Sequence, residues 1–423
     1  MLKRKSNFNY MWVIIFLMFL TMFTGLGFCS GSRSMYIKAV TDALHISRSA
    51  YSITSTIRFA TTTVISLFFG AFIKRFGTKA VLYAGMTSFL LFALINWFAT
   101  QLWQFYVGSV FLGLGIAWAG SAMVSKVVNI WCDKNKSTIM GAVMASNGIG
   151  GAVAAQILSP IIHQKGNPFG YRQSYLLVAG VVAITLVLII IFFRNPQNKT
   201  VDLSTKKKQP KGEGWVGMDF EVATKKPYFY VFMVVLLFTG IVLKGNTAVT
   251  PYLYDIGLSE SFVATIMSVS GIVFMCTKFL TGFLHGKFGI RFSVNLCIGA
   301  AVVSQAILLV LNATPLGYSL AMIRTVISCF ATPFETIMLA ICALEFFGDK
   351  SFDKMIGIYV AISNFGGAIG SPLSNIFYDI SHSFGYKIFF IITFTLMTIS
   401  FIAMQYVMKA AERDKKEILA QYE

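Results

Sequence analysis

Charged residues are scarce in this 423-residue chain, and acidic residues are the scarcest of them. Charged residues make up 12% of the sequence and hydrophobic residues 56%. An ordinary soluble domain carries about 25% charged residues. The chain has 17 acidic residues against 35 lysines and arginines, for a net charge of +18. This composition excludes a soluble globular protein and indicates a membrane protein.

Motifs for catalysis and for metal binding are also missing. The six cysteines lie within or at the ends of apolar runs, without the paired spacing of a metal site. The sequence contains neither a phosphate-binding glycine loop nor a nucleophile elbow. We therefore expect no enzyme activity, no catalytic residues, no cofactor and no bound metal.

Apolar runs of about 20 residues, long enough to cross a bilayer, fill most of the sequence. Twelve such runs predict an all-α membrane protein with twelve transmembrane helices. Most basic residues fall on one side of this arrangement, which predicts a multi-pass protein of the cell membrane with both termini in the cytoplasm. Basic residues placed in this way give little support to binding of nucleic acid, and we expect none.

The sequence is internally duplicated. The stretch "GAFIKRFGTK" at Gly70–Lys79 returns 212 residues later as "GFLHGKFGIR" at Gly282–Arg291, and "SNGIGGA" at 146–152 returns as "SNFGGA" at 363–368. We predict two pseudo-symmetric six-helix bundles, residues 1–193 and residues 228–423, the second with a short cytoplasmic tail. Residues 194–227, rich in lysine, proline and glycine, are the predicted cytoplasmic linker.

Both copies of the duplicated stretch resemble the loop between helices 2 and 3 of the major facilitator superfamily, although Lys74 and Gly286 replace the acidic residue of that pattern. The resemblance implies a transporter with a central site between two bundles that rock in alternation. Gly70 is expected to let helices approach closely, and Gly77 to permit a tight turn. The residues expected to act in gating are Gly70, Arg75, Gly77, Lys79, Gly282, Gly289 and Arg291.

Two further stretches narrow the resemblance. "NIWCDKNKSTIMG" at 129–141 and "MDFEVATKKPYFY" at 218–230 resemble segments of the bacterial oxalate/formate antiporter and monocarboxylate porter group. The resemblance implies a small organic anion as substrate, with Lys278 at the place of a carboxylate-binding arginine and Arg33 near that of a helix 1 basic residue. Phe274 stands where animal monocarboxylate carriers have an aspartate, which argues against proton coupling by that route. Ser363 stands where the oxalate antiporter has a lysine, so oxalate itself is not implied.

Charges inside the predicted crossings point to an anion independently of the resemblance. An intramembrane charge costs about 2.5 to 3.5 kcal/mol on insertion scales. Several cations without carboxylate partners therefore indicate a water-filled cavity, a bound anion, or both. Glu335 is the one clear acidic counterpart, and we hypothesise that it pairs with Lys278 and takes part in coupling. The predicted substrate-binding residues are Arg33, Arg58, Trp118, Lys244, Lys278, Arg324 and Asn364.

Structural interpretations stay open for some of these features. Arg33 lies near the outer end of helix 1, where a long side chain reaches the interface, and Lys126 lies near the opposite end of helix 4. The small residues on helices 5 and 11 are typical of helix-packing surfaces. Tyr51 and Arg58 fall at helical spacing on one stripe, and Arg324 and Glu335 on another, so we expect both stripes to line the pathway.

We expect a secondary active transporter that moves a small mono- or dicarboxylate by alternating access, as an exchanger or a proton-coupled carrier. It is expected to act in the bilayer as a monomer. Two alternatives remain at this point: a proton-coupled exporter of cationic or amphipathic compounds, and a membrane sensor of the same fold that does not transport.

Overall fold

A computed structural model describes residues 4–132, 136–164, 166–194, 217–348, 350 and 352–420. Most of the predicted linker, residues 195–216, lies outside the described residues. Within those ranges the chain is helical and contains no strand. The all-α prediction is therefore confirmed.

The α-helices are listed in chain order: α1 Arg4–Thr21, α2 Arg33–Leu44, α3 Arg48–Leu67, α4 Phe69–Phe98, α5 Leu102–Ala119, α6 Ser121–Trp131, α7 Lys136–Ile162, α8 Gly170–Phe192, α9 Phe220–Ala223, α10 Pro227–Thr239, α11 Val249–Asp255, α12 Glu260–Val310, α13 Pro315–Ala331, α14 Ile337–Phe347 and α15 Phe352–Ala420. Three tighter or wider helical segments interrupt this series. They are two π-helical segments, Met22–Gly31 and Gly240–Lys244, and a 3₁₀ segment, Thr332–Glu335.

Several helices begin at a capping residue that the sequence supplies. The Ser47 hydroxyl accepts a hydrogen bond from the backbone N–H of Ala50 at the start of α3. The Thr314 hydroxyl accepts from Gly317 at the start of α13, where Pro315 occupies the first turn. Such caps satisfy backbone donors that have no partner inside the helix.

The repeated glycines break two of the long helices. Gly77 in α4 has φ 79° and Gly289 in α12 has φ 77°, a conformation that residues with a Cβ rarely adopt. The predicted tight turn at Gly77 is confirmed, and its repeat turns in the same way. The predicted close helix approach at Gly70 is wrong, because a Cβ atom built there would meet no atom within 4 Å.

Eight helical stretches of the described chain are long and apolar enough to cross a membrane, or nine if the pair bent by 47° at Thr336 is one span. Two of these eight stretches contain two straight helices each, because α12 is broken at Gly289 and α15 at Ser381 and His382. A further helix of membrane length is α3, whose hydroxyl and arginine side chains lower its hydropathy. With the bent pair counted as one span, these helices of the described chain match the twelve predicted crossings.

The chain forms two compact units. Unit 1 comprises Met1–Leu203 with Leu253–Met275, and unit 2 comprises Ser204–Tyr252 with Cys276–Glu423. Unit 1 has a core that includes the fully buried rings of Phe89 and Phe105, and unit 2 one that includes those of Phe232 and Phe334. The bundle boundaries at residues 193 and 228 stay a prediction.

In each unit a π-helical segment lies against glycine on a neighbouring helix. In unit 1, a Cβ atom on Gly27 would lie 2.6 Å from the Cα of Gly150 in α7. In unit 2, a Cβ atom on Gly240 would lie 2.4 Å from the carbonyl oxygen of Ser363, and one on Gly366 would lie 2.4 Å from that of Leu237. Backbones this close leave no room for a side chain, which supports the packing interpretation of the small residues on helices 5 and 11.

We expect Gly366→Ala to lower the stability of the protein and Gly357→Ala to leave it unchanged or raise it. Both glycines lie on α15, but a Cβ atom at Gly357 would meet nothing within 4 Å. Overpacking at Gly366 should cost about 1 to 3 kcal/mol, whereas alanine in an open helical position gains up to about 1 kcal/mol over glycine. Thermal unfolding in detergent measures both. Equal melting temperatures for the two variants would contradict the packing described above.

Candidate functional site

A buried ion pair joins Lys244 and Glu335 in unit 2. The ammonium Nζ of Lys244 lies 3.4 Å from Glu335 Oε2. It also donates hydrogen bonds to Ser363 Oγ at 2.5 Å and to Asn364 Oδ1 at 3.2 Å. The hydroxyls of Ser363 and Thr239 both donate to the Glu335 carboxylate. The carboxylate is thus held by one cation and two hydroxyl groups.

The partner of Glu335 therefore differs from the predicted one. We expected Lys278 of α12, but Glu335 forms its ion pair with Lys244, at the end of the second π-helical segment. Glu335 itself lies in the 3₁₀ segment that follows α13. The prediction placed Arg324 and Glu335 on one face by assuming a continuous α-helix. The α-helix ends at Ala331, so Glu335 does not lie on the predicted stripe.

Arg33 is the first residue of α2 in unit 1, directly after the first π-helical segment. Its guanidinium donates to the hydroxyl of Thr54, a buried residue of α3, at 2.8 Å. Within the described part of the chain, Arg33 forms no ion pair with a carboxylate.

Arg58 lies one helical turn after Thr54 on α3. Its guanidinium carbon lies 3.9 Å from the centre of the Phe59 ring, a cation–π contact. Its Nε is enclosed and has no hydrogen-bond partner among the described residues, and the same is true of the indole N–H of Trp118. The Trp118 ring packs edge-on against Phe72, with centroids 5.5 Å apart. Both residues thus offer an enclosed N–H donor without a protein acceptor.

Tyr51 of the predicted stripe on α3, and Thr62 one helical turn after Arg58, face protein rather than an open pathway. The Tyr51 ring packs against Phe105 of α5, with centroids 5.4 Å apart, and is 5% exposed. Thr62 donates a hydrogen bond to the carbonyl of Gly113, also on α5, at 3.2 Å. Their positions hold α3 on α5, which leaves Arg58 as the functional candidate of this stripe.

Buried tyrosines near Arg33 were not singled out in the sequence. The Tyr36 and Tyr175 rings stack with centroids 4.2 Å apart, and the Tyr36 hydroxyl shares a hydrogen bond with Ser174. Arg33 interacts electrostatically with Tyr51 and Tyr175. Aromatic residues are so frequent in this chain, at 15%, that their spacing carried no signal.

Two further predicted cations lie in unit 2 outside the Glu335 network. Arg324 of α13 has an enclosed Nε without a hydrogen-bond partner, and it forms no ion pair among the described residues. Lys278 is half-buried on α12. The structure therefore brings together Lys244, Glu335 and Asn364, and it does not add Arg324 or Lys278 to that hydrogen-bonded group.

The predicted gating residues lie beside the breaks in α4 and α12. Arg75 and Lys79 contact the rings of Phe76 and Tyr83, at 5.3 and 5.5 Å from the ring centres. Arg291 donates to the exposed Glu412 of α15 at 2.6 Å. The first copy thus uses aromatic contacts and the second an ion pair.

A second buried ion pair lies at the predicted outer end of unit 1 and was missed in the sequence. Arg48 binds Asp255 with both terminal nitrogens, at 2.5 and 3.0 Å, and Lys38 Nζ lies 3.0 Å from the same carboxylate. The side chains of Arg48 and Asp255 are 3% and 7% exposed. This pair holds the start of α3 to the end of α11.

His163, directly after α7, lies near this group. Its ring packs on Tyr254 with centroids 4.7 Å apart, and its Nδ1 lies 4.0 Å from Glu260. Burial and the nearby charge of Lys38 lower the pKa of His163 to about 4. The ring is therefore neutral near pH 7, and its contact with Glu260 is then not an ion pair.

A bundle of apolar membrane-length helices with charged side chains enclosed inside it has the architecture of a secondary transporter. The family model of the Major Facilitator Superfamily matches residues 11–346. The chain belongs to the Major Facilitator Superfamily, a family of multi-pass membrane transporters.

Two relatives are each 22% identical to this chain over the residues that align. The sialic acid transporter NanX of Escherichia coli (strain K12) is 22% identical over 265 residues, which cover 59% of this chain and 60% of NanX. Multidrug resistance protein 2 of Bacillus subtilis (strain 168) is 22% identical over 75% of this chain and 77% of its own. The chain thus spans about three fifths of the length of NanX.

Solved structures with the same fold include transporters of several substrate classes. The nucleoside transporter NupG matches with a TM-score of 0.73 and 14% identity, over 95% of this chain and 99% of its own. A D-xylose–proton symporter matches with a TM-score of 0.69 and 14% identity, over 93% of this chain and 97% of its own. At this identity the likeness shows the fold alone.

We expect Asp255→Asn to destabilise the protein far more than Glu412→Gln. Removing the carboxylate from the buried pair leaves Arg48 enclosed without an opposite charge, which costs about 3 to 5 kcal/mol. Glu412 is exposed, and an exposed ion pair contributes little to stability because solvent and salt screen it. Thermal unfolding of the purified variants measures the difference. Similar losses in the two variants would show that the Asp255 pair is solvated.

We also expect the protein to lose stability as the pH falls from about 6.5, the ordinary pKa of histidine, towards about 4, the lowered pKa of His163. Protons then bind the unfolded chain more tightly than the folded one. His163→Gln should remove that part of the loss, whereas a change at the exposed His45, His45→Asn, should not. Melting temperatures across this range test the expectation. Identical pH profiles for the His163 variant and the wild type would refute it.

Proposed function

We propose that the chain is a secondary transporter of a small organic anion, a mono- or dicarboxylate. The observation that carries this proposal is the pair of arginines in unit 1. Arg33 donates a hydrogen bond to Thr54, one helical turn before Arg58 on α3, and neither arginine has a carboxylate partner among the described residues. Like charges on neighbouring residues repel each other, and an anion bound between or beside them lowers that repulsion, so an anionic substrate stabilises the arrangement.

Enclosed N–H donors in each unit suit an anion as well. In unit 1, Arg58 Nε and Trp118 Nε1 have no acceptor among the described residues, and in unit 2 the same is true of Arg324 Nε. A buried donor without an acceptor costs about 1 to 3 kcal/mol, and a carboxylate oxygen supplies the missing acceptor. Guanidinium groups bind carboxylates through two parallel hydrogen bonds, which favours an arginine-based site for this substrate class.

The relatives span anionic, neutral and drug-like substrates, so the choice among them rests on the chain's own residues. NanX is named for sialic acid, which is a carboxylate. Multidrug resistance protein 2 is named for drugs. An exporter of cationic drugs needs acidic residues in its pathway, whereas here the buried carboxylate of Glu335 is already paired with Lys244. The pairing of Glu335 with Lys244 favours an anionic substrate over a cationic one.

The proposal also includes the location and orientation of the protein. Basic residues lie mostly on one side of the predicted crossings, which supports a protein of the cell membrane with both termini in the cytoplasm. We infer membership of the carboxylate-carrying branch related to the oxalate/formate and monocarboxylate porters, with Arg33 and Arg58 rather than Lys278 as the primary anion-binding residues.

Thermal unfolding against a ligand panel tests the proposed substrate class. We expect one or more of N-acetylneuraminate, D-glucuronate, L-lactate and succinate to raise the melting temperature. A ligand at 100 times its Kd adds about 2.7 kcal/mol to the free energy of unfolding by mass action. D-xylose, uridine and tetraphenylphosphonium, as neutral and cationic probes, should have no effect.

Two variants assign that effect to the site. Arg58→Gln should abolish the stabilisation by carboxylates, because it removes an enclosed guanidinium. Arg413→Gln should retain it, since the Arg413 side chain is 74% exposed. Stabilisation by tetraphenylphosphonium or by neutral probes alone would overturn the proposed function and favour export of cationic or amphipathic compounds.

A further inference from the structure

A cavity of about 320 Å³ lies beside the break in α12, at one end of unit 2. Residues of the Gly289 turn form one side of it, the end of α14 forms a second, and the last part of α15 forms a third. Sites for small molecules typically occupy about 300 to 1,000 Å³. The cavity therefore has room for a small ligand or for the polar headgroup of a lipid.

Among the described residues, two cations and two carboxylates line the cavity, so their charges sum to zero. Arg291 contacts Glu412 at 2.6 Å, and Lys415 contacts Glu345 at 3.0 Å. Glu412 is also 3.1 Å from Lys416, which is not one of the described lining residues. The four lining side chains keep between 30% and 56% of their surface exposed. Such ion pairs are screened by solvent and stabilise little, so each charge can share its partner with a ligand at low cost.

Apart from Gly289, the other described lining residues are apolar. Phe346 and Met408 are buried, whereas Phe288 is 52% exposed. The Phe288 ring contacts that of Phe292, also exposed, with centroids 4.9 Å apart. Exposed aromatic rings at the ends of crossings are typical of the membrane interface. The lining thus combines charged groups with an apolar surface, which suits a molecule that has a polar and an apolar part.

The position of the cavity along the helices decides which molecules reach it. Gly289 breaks α12 into two straight helices of membrane length, so the turn lies at a membrane surface. Phospholipid headgroups fill the layer on either side of the hydrocarbon core. A headgroup is therefore always close to this cavity, whereas a soluble compound reaches it only by diffusion.

The charges of the cavity decide among the headgroups. An anionic headgroup would satisfy the two cations but would also face the two carboxylates. A headgroup with one phosphate and one ammonium meets both signs and leaves the total charge at zero. A primary ammonium offers three N–H donors to carboxylates, as a lysine side chain does. A quaternary ammonium has no N–H donor, so the cavity favours the primary one.

We propose that this cavity binds the headgroup of a zwitterionic phospholipid that carries a primary ammonium. Arg291 and Lys415 bind the phosphate. Glu345 and Glu412 bind the ammonium, and the acyl chains extend past Phe288 into the bilayer. Hydrogen bonds between charged groups are about twice as strong as those between neutral ones. This inference does not depend on the identity of the transported compound.

Lipid titrations of the delipidated protein in detergent test the proposal through the melting temperature. Dioleoylphosphatidylethanolamine should stabilise the protein at concentrations about tenfold lower than dioleoylphosphatidylcholine requires. One charge-assisted hydrogen bond changes affinity by about that factor. The anionic dioleoylphosphatidylglycerol should also bind more weakly than the ethanolamine lipid. Equal midpoints for the ethanolamine and choline lipids would overturn the proposal.

The headgroup without acyl chains distinguishes a lipid site from a site for a soluble zwitterion. Phosphoethanolamine at the same concentrations should leave the melting temperature unchanged, because it lacks the chains that contact the apolar lining. Stabilisation by phosphoethanolamine equal to that by the ethanolamine lipid would overturn the assignment to a lipid.

Carboxylate variants assign the lipid preference to the cavity. The double variant Glu345→Gln with Glu412→Gln leaves both cations without carboxylates, so it should prefer the glycerol lipid to the ethanolamine lipid. Glu417→Gln is the matched control, since Glu417 lies on the same end of α15 outside the described lining and is 63% exposed. The control should keep the wild-type order of lipids. The wild-type order in the double variant as well would contradict the site.

Single variants cover the case in which the double variant fails to fold. Glu412→Gln removes one exposed carboxylate, and it should lower the preference for the ethanolamine lipid over the choline lipid. Arg291→Gln removes a phosphate ligand, and it should weaken the binding of all three phospholipids. Wild-type midpoints in both single variants would overturn the proposal.

Discussion

In each unit, a π-helical segment packs against a helix that has glycine at the contact. The positions of the buried cations that follow these segments, Arg33 and Lys244, depend on this contact. In unit 2, Gly240 lies so close to α15 that a Cβ atom would reach the carbonyl oxygen of Ser363. Lys244 ends the same π-helical segment, and its ammonium consequently meets the hydroxyl of Ser363. In unit 1, Gly27 meets Gly150 of α7, and Arg33 follows two residues after that segment ends. Arg33 and Lys244 are 211 residues apart, close to the 212-residue offset of the duplication.

The cations that follow the two π-helical segments have different surroundings in the two units. Unit 2 pairs Lys244 with a carboxylate and completes that carboxylate with hydroxyl groups. Unit 1 leaves Arg33 with one hydroxyl and Arg58 with the face of an aromatic ring, neither of which neutralises a charge. A paired cation is available to a ligand only after its partner is neutralised, whereas an unpaired cation is available at once. The observed contacts therefore favour the arginines of unit 1 over Lys244 in the proposal of an anion-binding site.

The sequence predicted those features that depend on local residue type. Gly77 and its repeat Gly289 break their helices, because only glycine adopts their backbone conformation at low cost. The depth of Glu335 in the membrane and the need for a cationic partner were also visible. Which lysine meets it was not, because both Lys244 and Lys278 lie at a suitable depth. The choice depends on helix rotation, and a π-helical turn inserts one residue that rotates every later side chain by about 100°.

Contacts between segments that are far apart in the chain could not be predicted from the sequence, for a different reason. Arg48 and Asp255 lie 207 residues apart, in short polar stretches where basic and acidic residues are expected at any membrane surface. Nothing in their spacing distinguishes a solvated charge from an enclosed pair, and only the packing of α3 and α11 does so. At Gly70 the sequence predicted a contact that the structure does not contain. The motif indicated a close helix contact, but the neighbouring helices leave open space there.

Lysine and arginine contribute differently to the two groups of buried charges. Arginine stays charged in proteins and presents a fixed fork of donors, so Arg33 and Arg58 present positive charge with a defined donor geometry. Lysine presents a compact ammonium with three donors that turn freely, and Lys244 accordingly contacts Glu335, Ser363 and Asn364 at once. An arginine at 244 would instead bind Glu335 through two parallel hydrogen bonds. The freely turning ammonium is therefore suited to a site whose acceptors come from two different elements, the 3₁₀ segment and α15.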